Sequence, residues 1–149
     1  MESPKEVPIS HSKLQPFLNI VENSQISLEG KDVQWLASAI PPREHWRAFP
    51  QFGQDVCYLD IETDGTSGGD SVTIIGAYDG IELQQFIRGV NLWDFPKYIE
   101  SKTMIVSFFG TGFDLPVLKN CLGVSFRQFH VDLCFLFKRL GYRGGLKSI

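Results

Sequence analysis

Asp60 and Glu62 close a strand-like run, Val56-Cys57-Tyr58-Leu59-Asp60-Ile61, that gives way to Thr63-Asp64-Gly65. Side chains two apart on a strand share a face, so these carboxylates are neighbours at the mouth of a core strand. Like charges held that close repel unless a cation lies between them, and a divalent ion is the simplest such partner. The competing reading is that the strand has already ended and both groups are solvated turn residues. A third carboxylate, Asp114, follows Gly110-Thr111-Gly112-Phe113 at the start of a later helix, where it would also serve as an N-cap. If the three converge, they suit metal-assisted phosphodiester hydrolysis, in which two ions roughly 4 Å apart activate a water and stabilise the leaving oxygen. Asp60 is placed to bridge the ions, Glu62 to hold the one nearer the water, and Asp114 to approach from the adjacent turn. Hard oxygen donors select Mg²⁺ or Mn²⁺.

Other groups have plainer explanations. Asp132 opens a helix and reads as its cap; Asp64, before Gly65, reads as a turn former. His130 fits a core histidine on a strand, and His11 and His45 have no constellation around them. Cys57, Cys121 and Cys134 lie far apart among apolar neighbours and read as small core residues rather than as zinc ligands or a disulfide framework.

The carboxylates need elements to position them. Residues 1 to about 30 are weakly patterned, with Leu14, Phe17, Leu18 and Ile20 among Ser, Pro and Asn, and predict a loop-like lead-in. Asp32 caps a short helix ending before Pro41-Pro42. Arg43 to Phe52 carries Trp46, Arg47, Phe49 and Phe52; it is either a stacking surface for bases or, the preferred reading, a hydrophobic strap closing one edge of a sheet. After the strand at 56–61 come a loop at 66–70, a strand at 72–78, a turn at Asp79-Gly80 and a strand at 81–87, which make an antiparallel meander. A short helix runs through Tyr98 and Ile99. Met104 to Phe109 is a continuous apolar strand, buried on both faces and so parallel to the first. A Gly-rich turn, a helix stopped by Gly123, a strand at 126–131 and a helix from Asp132 to Gly141 follow. Lys147-Ser148-Ile149 leads toward a further helix, with Ser148 as its cap. The order β-β-β-α-β-α-β-α predicts an α/β fold with a mixed sheet, whose ligands gather at the carboxyl ends of its parallel strands.

The chain of 149 residues has length for one domain, and 43% hydrophobic content is enough for a core. A net charge of −3 excludes a broad basic field. No apolar run reaches the roughly eighteen residues of a membrane span and no signal peptide is visible, so a soluble, cytoplasmic protein is expected.

Asp60-Ile61-Glu62-Thr63 resembles the first motif of the DEDD 3′–5′ exonuclease superfamily, and Val106-Ser107-Phe108-Phe109-Gly110-Thr111-Gly112-Phe113-Asp114 resembles its second. Within that superfamily the chain is most similar to the YprB-like branch, related to the proofreading domains of family B DNA polymerases. His45-Trp46-Arg47-Ala48-Phe49-Pro50 and His130-Val131-Asp132-Leu133 resemble that branch too. The resemblance implies an RNase H-like domain over residues 43–149 behind a lead-in at 1–42. It implies two-metal cleavage of a single-stranded DNA or RNA end, with Asp60, Glu62 and Asp114 as catalytic metal ligands and Thr63, Gly110 and Phe113 as substrate contacts. The chain departs from the family in two places. Phe109 stands where Asn is frequent, and no Asp or Glu follows Asp132, so the third motif is absent. A chain that stops where the family continues accounts for this, and its exposed apolar surface would favour a homodimer. Besides an exonuclease, two function classes stay open: a catalytically inactive nucleic-acid-binding module of the same fold, and an interaction scaffold with structural carboxylates.

Overall fold

The computed structural model describes residues 10–66 and 71–146. The predicted loop at 66–70 therefore lies mostly outside the described residues, as does the approach to a further helix at 147–149. Five strands form one mixed sheet in the order β3-β2-β1-β4-β5: β1 (Val56–Thr63), β2 (Val72–Tyr78), β3 (Leu83–Ile87), β4 (Met104–Ser107) and β5 (Phe129–Asp132). β1, β2 and β3 are an antiparallel meander, while β4 and β5 add in parallel beside β1. Six α-helices occur among the described residues: α1 (His11–Glu29), α2 (Val33–Ala39), α3 (Phe49–Phe52), α4 (Phe95–Glu100), α5 (Asp114–Leu122) and α6 (Leu133–Arg139). This is the mixed α/β architecture the element order predicts. β4 is buried at every residue, as its unbroken apolar run requires. Among the described residues no helix is long and apolar enough to cross a membrane.

The lead-in differs from expectation. Instead of a loop, His11–Glu29 is a 19-residue helix with Pro16 inside it. Leu14, Phe17, Leu18 and Val21 recur at helical spacing, and that periodicity outweighs the one backbone hydrogen bond that Pro16 forgoes. All four side chains remain exposed. Asp32 caps α2 as predicted, accepting the Trp35 amide at 3.0 Å. β5 begins three residues later than predicted. Gln128 bonds the Ile99 carbonyl through its side chain, at 2.8 Å, before the ladder starts.

Two cores flank the sheet. On one face Cys57, Leu59 and Ile61 of β1 pack with Ile75, Phe86, Ile105, Phe95, Ile99 and Leu118, so that α4 and α5 cover this side. Cys57 and Cys134 are buried in the core, and burial pushes the Cys57 thiol up to about 12. On the other face Val56, Met104, Val106, Phe129 and Val131 pack under Leu36, Ala48 and Phe52. That cover stops at β4 and β5. Across the meander the same face exposes Tyr58, Ile74, Tyr78, Leu83 and Ile87.

The strap from Pro42 to Phe52 follows the preferred reading in part. Ala48 and Phe52 enter the core, while Trp46 and Phe49 remain well exposed. Its anchor is His45, a residue with no role evident in the sequence. The buried imidazole lies 3.0 Å from the Ala37 and Ile40 carbonyls through Nε2, and accepts the His130 amide of β5 at 3.0 Å through Nδ1. At the opposite edge Asn91 serves β3: its Oδ1 accepts the Ile87 amide at 2.7 Å and its Nδ2 donates to the Gln85 carbonyl at 3.0 Å.

Candidate active site

β1, β4 and β5 run parallel, so their carboxyl ends lie together, and each delivers acidic chemistry there. β1 continues to Thr63, so Asp60 and Glu62 are strand residues, both exposed on one face with Tyr58. Both are solvent-exposed, but on the strand and not in a turn. Opposite them across the ladder are Gly76 and Ile74. Gly76 leaves space above Asp60, because a Cβ there would approach nothing closer than the Asp60 carbonyl at 3.8 Å. The register shifts between Glu62 and Thr63, and the Thr73 hydroxyl donates to the Glu62 carbonyl at 3.0 Å. Thr63 therefore ends the strand at an irregularity, a common device for re-aiming side chains beside sites.

Asp114 is the first residue of α5 and is not its N-cap; Phe113 holds that position, and no side chain caps this helix. Asp114 is 4% exposed. Burial pushes its carboxyl up to about 6, the charges of Asp60 and Asp132 act in the same direction, and its own amide and that of Ile61 act against them. The Asp60 charge is thus felt at Asp114. Among the described residues no Lys, Arg or His forms an ion pair with Asp60, Glu62 or Asp114. In chemical kind this uncompensated oxygen set fits a hard divalent cation. In arrangement it is not a closed cage: among the described residues no three His, Cys, Asp or Glu stand close enough to hold an ion together.

The turn between β4 and α5 is held by Asp132. Its Oδ1 accepts the Phe109 amide at 2.9 Å and the Cys134 amide at 3.1 Å, and its Oδ2 accepts the Thr111 amide at 3.0 Å. The predicted cap of α6 is real, and the same carboxylate also fastens the Gly-rich turn. The register Ser107↔Asp132 places it there. Three amides occupy its oxygens, so it positions the turn that leads to Asp114. His130 is the strand histidine expected, with Nε2 2.8 Å from the Ser107 hydroxyl. Burial holds its pKa below the usual value, against Asp132, which raises it. Asp64 is the expected turn former; it accepts from Thr66 and pairs with Arg88 at 2.8 Å. The Thr66 bonds and that guanidinium bring its carboxyl down to about 2.

The turn is tight at two further places. Gly110 is buried, and a Cβ on it would lie 2.0 Å from Ser107 Oγ and 2.8 Å from Ser107 Cβ. Gly110→Ala is expected to destabilise by roughly 1–3 kcal/mol, the usual range for overpacking, with recovery in Gly110→Ala/Ser107→Gly; urea midpoints check both. Phe109 adopts φ 64°, a left-handed conformation that non-glycine residues other than Asn and Asp rarely hold. Its ring lies over Gly112 and, 6.3 Å away, beside Phe135. Phe109→Asn is expected to raise stability by about 1 kcal/mol by relieving that strain, again read from a urea midpoint. Phe113 is exposed beside this turn.

A family model of the RNase H superfamily matches residues 57–149. No curated protein matches the sequence. Among solved structures, a family B DNA polymerase from the hyperthermophilic archaeon Pyrobaculum calidifontis is similar at 22% identity, over 56% of this chain, with a TM-score of 0.40. The chain spans 16% of that polymerase's length.

Proposed function

The chain belongs to the RNase H superfamily, and from that membership we propose that it is a metal-dependent 3′–5′ exonuclease-type domain of the DEDD class, YprB-like branch, acting on single-stranded DNA or RNA ends. One observation carries the reading. Asp60, Glu62 and Asp114 come to the same end of the parallel strands without a cationic partner among the described residues, and the Asp60 charge is felt at Asp114. In this reading the catalytic domain is 43–149 and 1–42 is a lead-in.

Asp60, Glu62 and Asp114 would hold Mg²⁺ or Mn²⁺, which when bound supplies Lewis acidity and a water of lowered pKa. The protein's own part is arrangement. β1 fixes Asp60 and Glu62 on one face, and the Asp132-held turn fixes the start of α5. To serve as a ligand the buried Asp114 carboxyl would have to be ionised, which its burial opposes. Thr63 follows Glu62 and Phe113 precedes Asp114 in the chain, and with Gly110 they would be the contacts of a strand end. Phe113 offers an exposed ring to a base, and Gly110 keeps the turn close to β4.

A second reading, a binding module of the same fold without turnover, is favoured by the lack of a closed metal cluster among the described residues. Thermal melts in chelator and in millimolar Mg²⁺ or Mn²⁺, with hydrolysis of 5′-labelled single-stranded oligonucleotides, decide between them. The exonuclease reading expects a metal-dependent rise in melting temperature and a ladder of shortened products. Oligonucleotide binding with neither result would establish the second reading.

A further inference from the structure

We infer that the groove between the Pro42–Ala48 turn and α6 is a second contact surface for single-stranded nucleic acid, apart from the carboxylates. This rests on the nucleic-acid reading above and not on catalysis. The groove encloses about 530 Å³, within the usual range for a site that holds a small organic group. It begins at Thr111, on the turn that leads to Asp114, and runs along α6 toward its C-terminal end. Its walls carry two exposed aromatic rings, Trp46 and Phe135, and its rim carries Arg43, Lys138 and Arg139. On a chain of net charge −3, this is a local concentration of positive charge. Two carboxylates oppose it. Glu44 pairs with Arg43, Arg47 and Arg139, and Asp132 is occupied by three amides.

The arrangement fits alternating bases and phosphates. Trp46 borders this groove and also a neighbouring one lined by Arg47, whose guanidinium lies 4.6 Å from the indole centroid. Arg47 does not line the first groove, while Lys138 lies 5.3 Å from the centroid of the Phe135 ring. Stacking on such a ring tolerates any base. The exposed cations suit a phosphate backbone as point charges. Arg139 also donates to the Arg43 carbonyl at 2.8 Å, which ties α6 to the strap and keeps the two walls together without any ligand. An oligonucleotide threading from this groove would reach the turn beside Asp114 with its end toward the acidic cluster.

The test is fluorescence-anisotropy binding of labelled oligothymidylate and oligouridylate of about eight nucleotides, within the site sizes of single-strand binders. It is run in chelator, on the Asp60→Asn background, so that hydrolysis plays no part. Trp46→Ala is expected to weaken binding about tenfold or more, with the melting temperature little changed. Arg43→Gln/Lys138→Gln is expected to reduce the slope of log affinity against log salt by about 1.4, the release of two counterions from a single strand. Trp46→Phe is expected to bind normally while losing part of the intrinsic fluorescence quench, which places the base on that ring even if Trp46→Ala folds poorly. The DNA and RNA arms decide which strand is preferred. Absence of binding by the parent chain at low salt, or unchanged affinity and quench in the Trp46 variants, would overturn the inference. A failed hydrolysis assay with these binding changes intact would sink the exonuclease reading alone.

Discussion

Asp114→Asn is expected to raise stability by about 2 kcal/mol at pH 7 and to lower it by about 0.5 kcal/mol at pH 4. The wild-type carboxyl titrates near 3.8 when unfolded and about 6 when folded, because burial first, and then the charges of Asp60 and Asp132, disfavour its ionised form. Between those values the folded chain holds a proton that the unfolded chain has released, so raising the pH through this window removes stability. Below it both states are protonated and the group contributes no difference; above it both are ionised and the whole penalty is present. The gap corresponds to about 3 kcal/mol. Asn removes the charge at every pH, and its Oδ1 can still accept from the backbone. Its amine brings donors into a site where the side chain is 4% exposed, at a cost of about 1 kcal/mol, which sets the net figures. Urea unfolding from pH 4 to pH 8 measures the effect. Parallel curves for the two proteins would mean that Asp114 titrates normally and that its carboxyl is not buried in solution.

Asp60→Asn carries the second large effect. On the proposed mechanism it abolishes most hydrolysis, by roughly a thousand-fold, since a bound metal supplies several kcal/mol of charge stabilisation. It also abolishes any metal-dependent rise in melting temperature, because only a ligand that prefers the folded state can produce one. A third consequence needs neither metal nor substrate. The Asp60 charge helps to raise the Asp114 carboxyl, so neutralising it is expected to bring the Asp114 titration down, as read from side-chain carboxyl ¹³C shifts. Undiminished cleavage in this variant would remove Asp60 from the chemistry. A lowered Asp114 titration with unchanged cleavage would leave the electrostatics standing and the mechanism wrong.

What could be read in the sequence was whatever depends on period and local chemistry. Alternation alone puts Asp60 and Glu62 on one face of β1, and the unbroken apolar run of β4 implies a strand buried on both sides. The meander and the caps at Asp32 and Asp132 follow from turn and capping chemistry. The misreadings have physical causes. In α1, Pro16 and the scattered Ser and Asn obscured a helical stripe whose residues stay exposed, so its spacing resembled loop composition. Asp114 was read as a possible cap because an Asp before a helix usually is one; here the helix starts at Asp114 itself, and its carboxyl is buried. Two roles depend on register rather than on neighbours in the chain. Asp132 can hold the 109–111 turn only because β5 pairs with β4 so that it lies beside Ser107. His45 acts on a strand 85 residues away. No local pattern encodes either pairing.

The Asn91 amide and the His45 imidazole have one more effect when taken together. A sheet has two outer edges whose unpaired peptide groups invite another strand, and natural proteins block them. Here β3 has its Gln85 carbonyl and Ile87 amide matched by a side chain that imitates a neighbouring peptide, and β5 has its His130 amide taken by a ring. Both borders are thereby protected by single residues against ribbon-like growth. Tyr58, Ile74 and Ile87 remain as exposed apolar residues on the face of the sheet; loss of Asn91 is expected to unblock the β3 border and to raise aggregation.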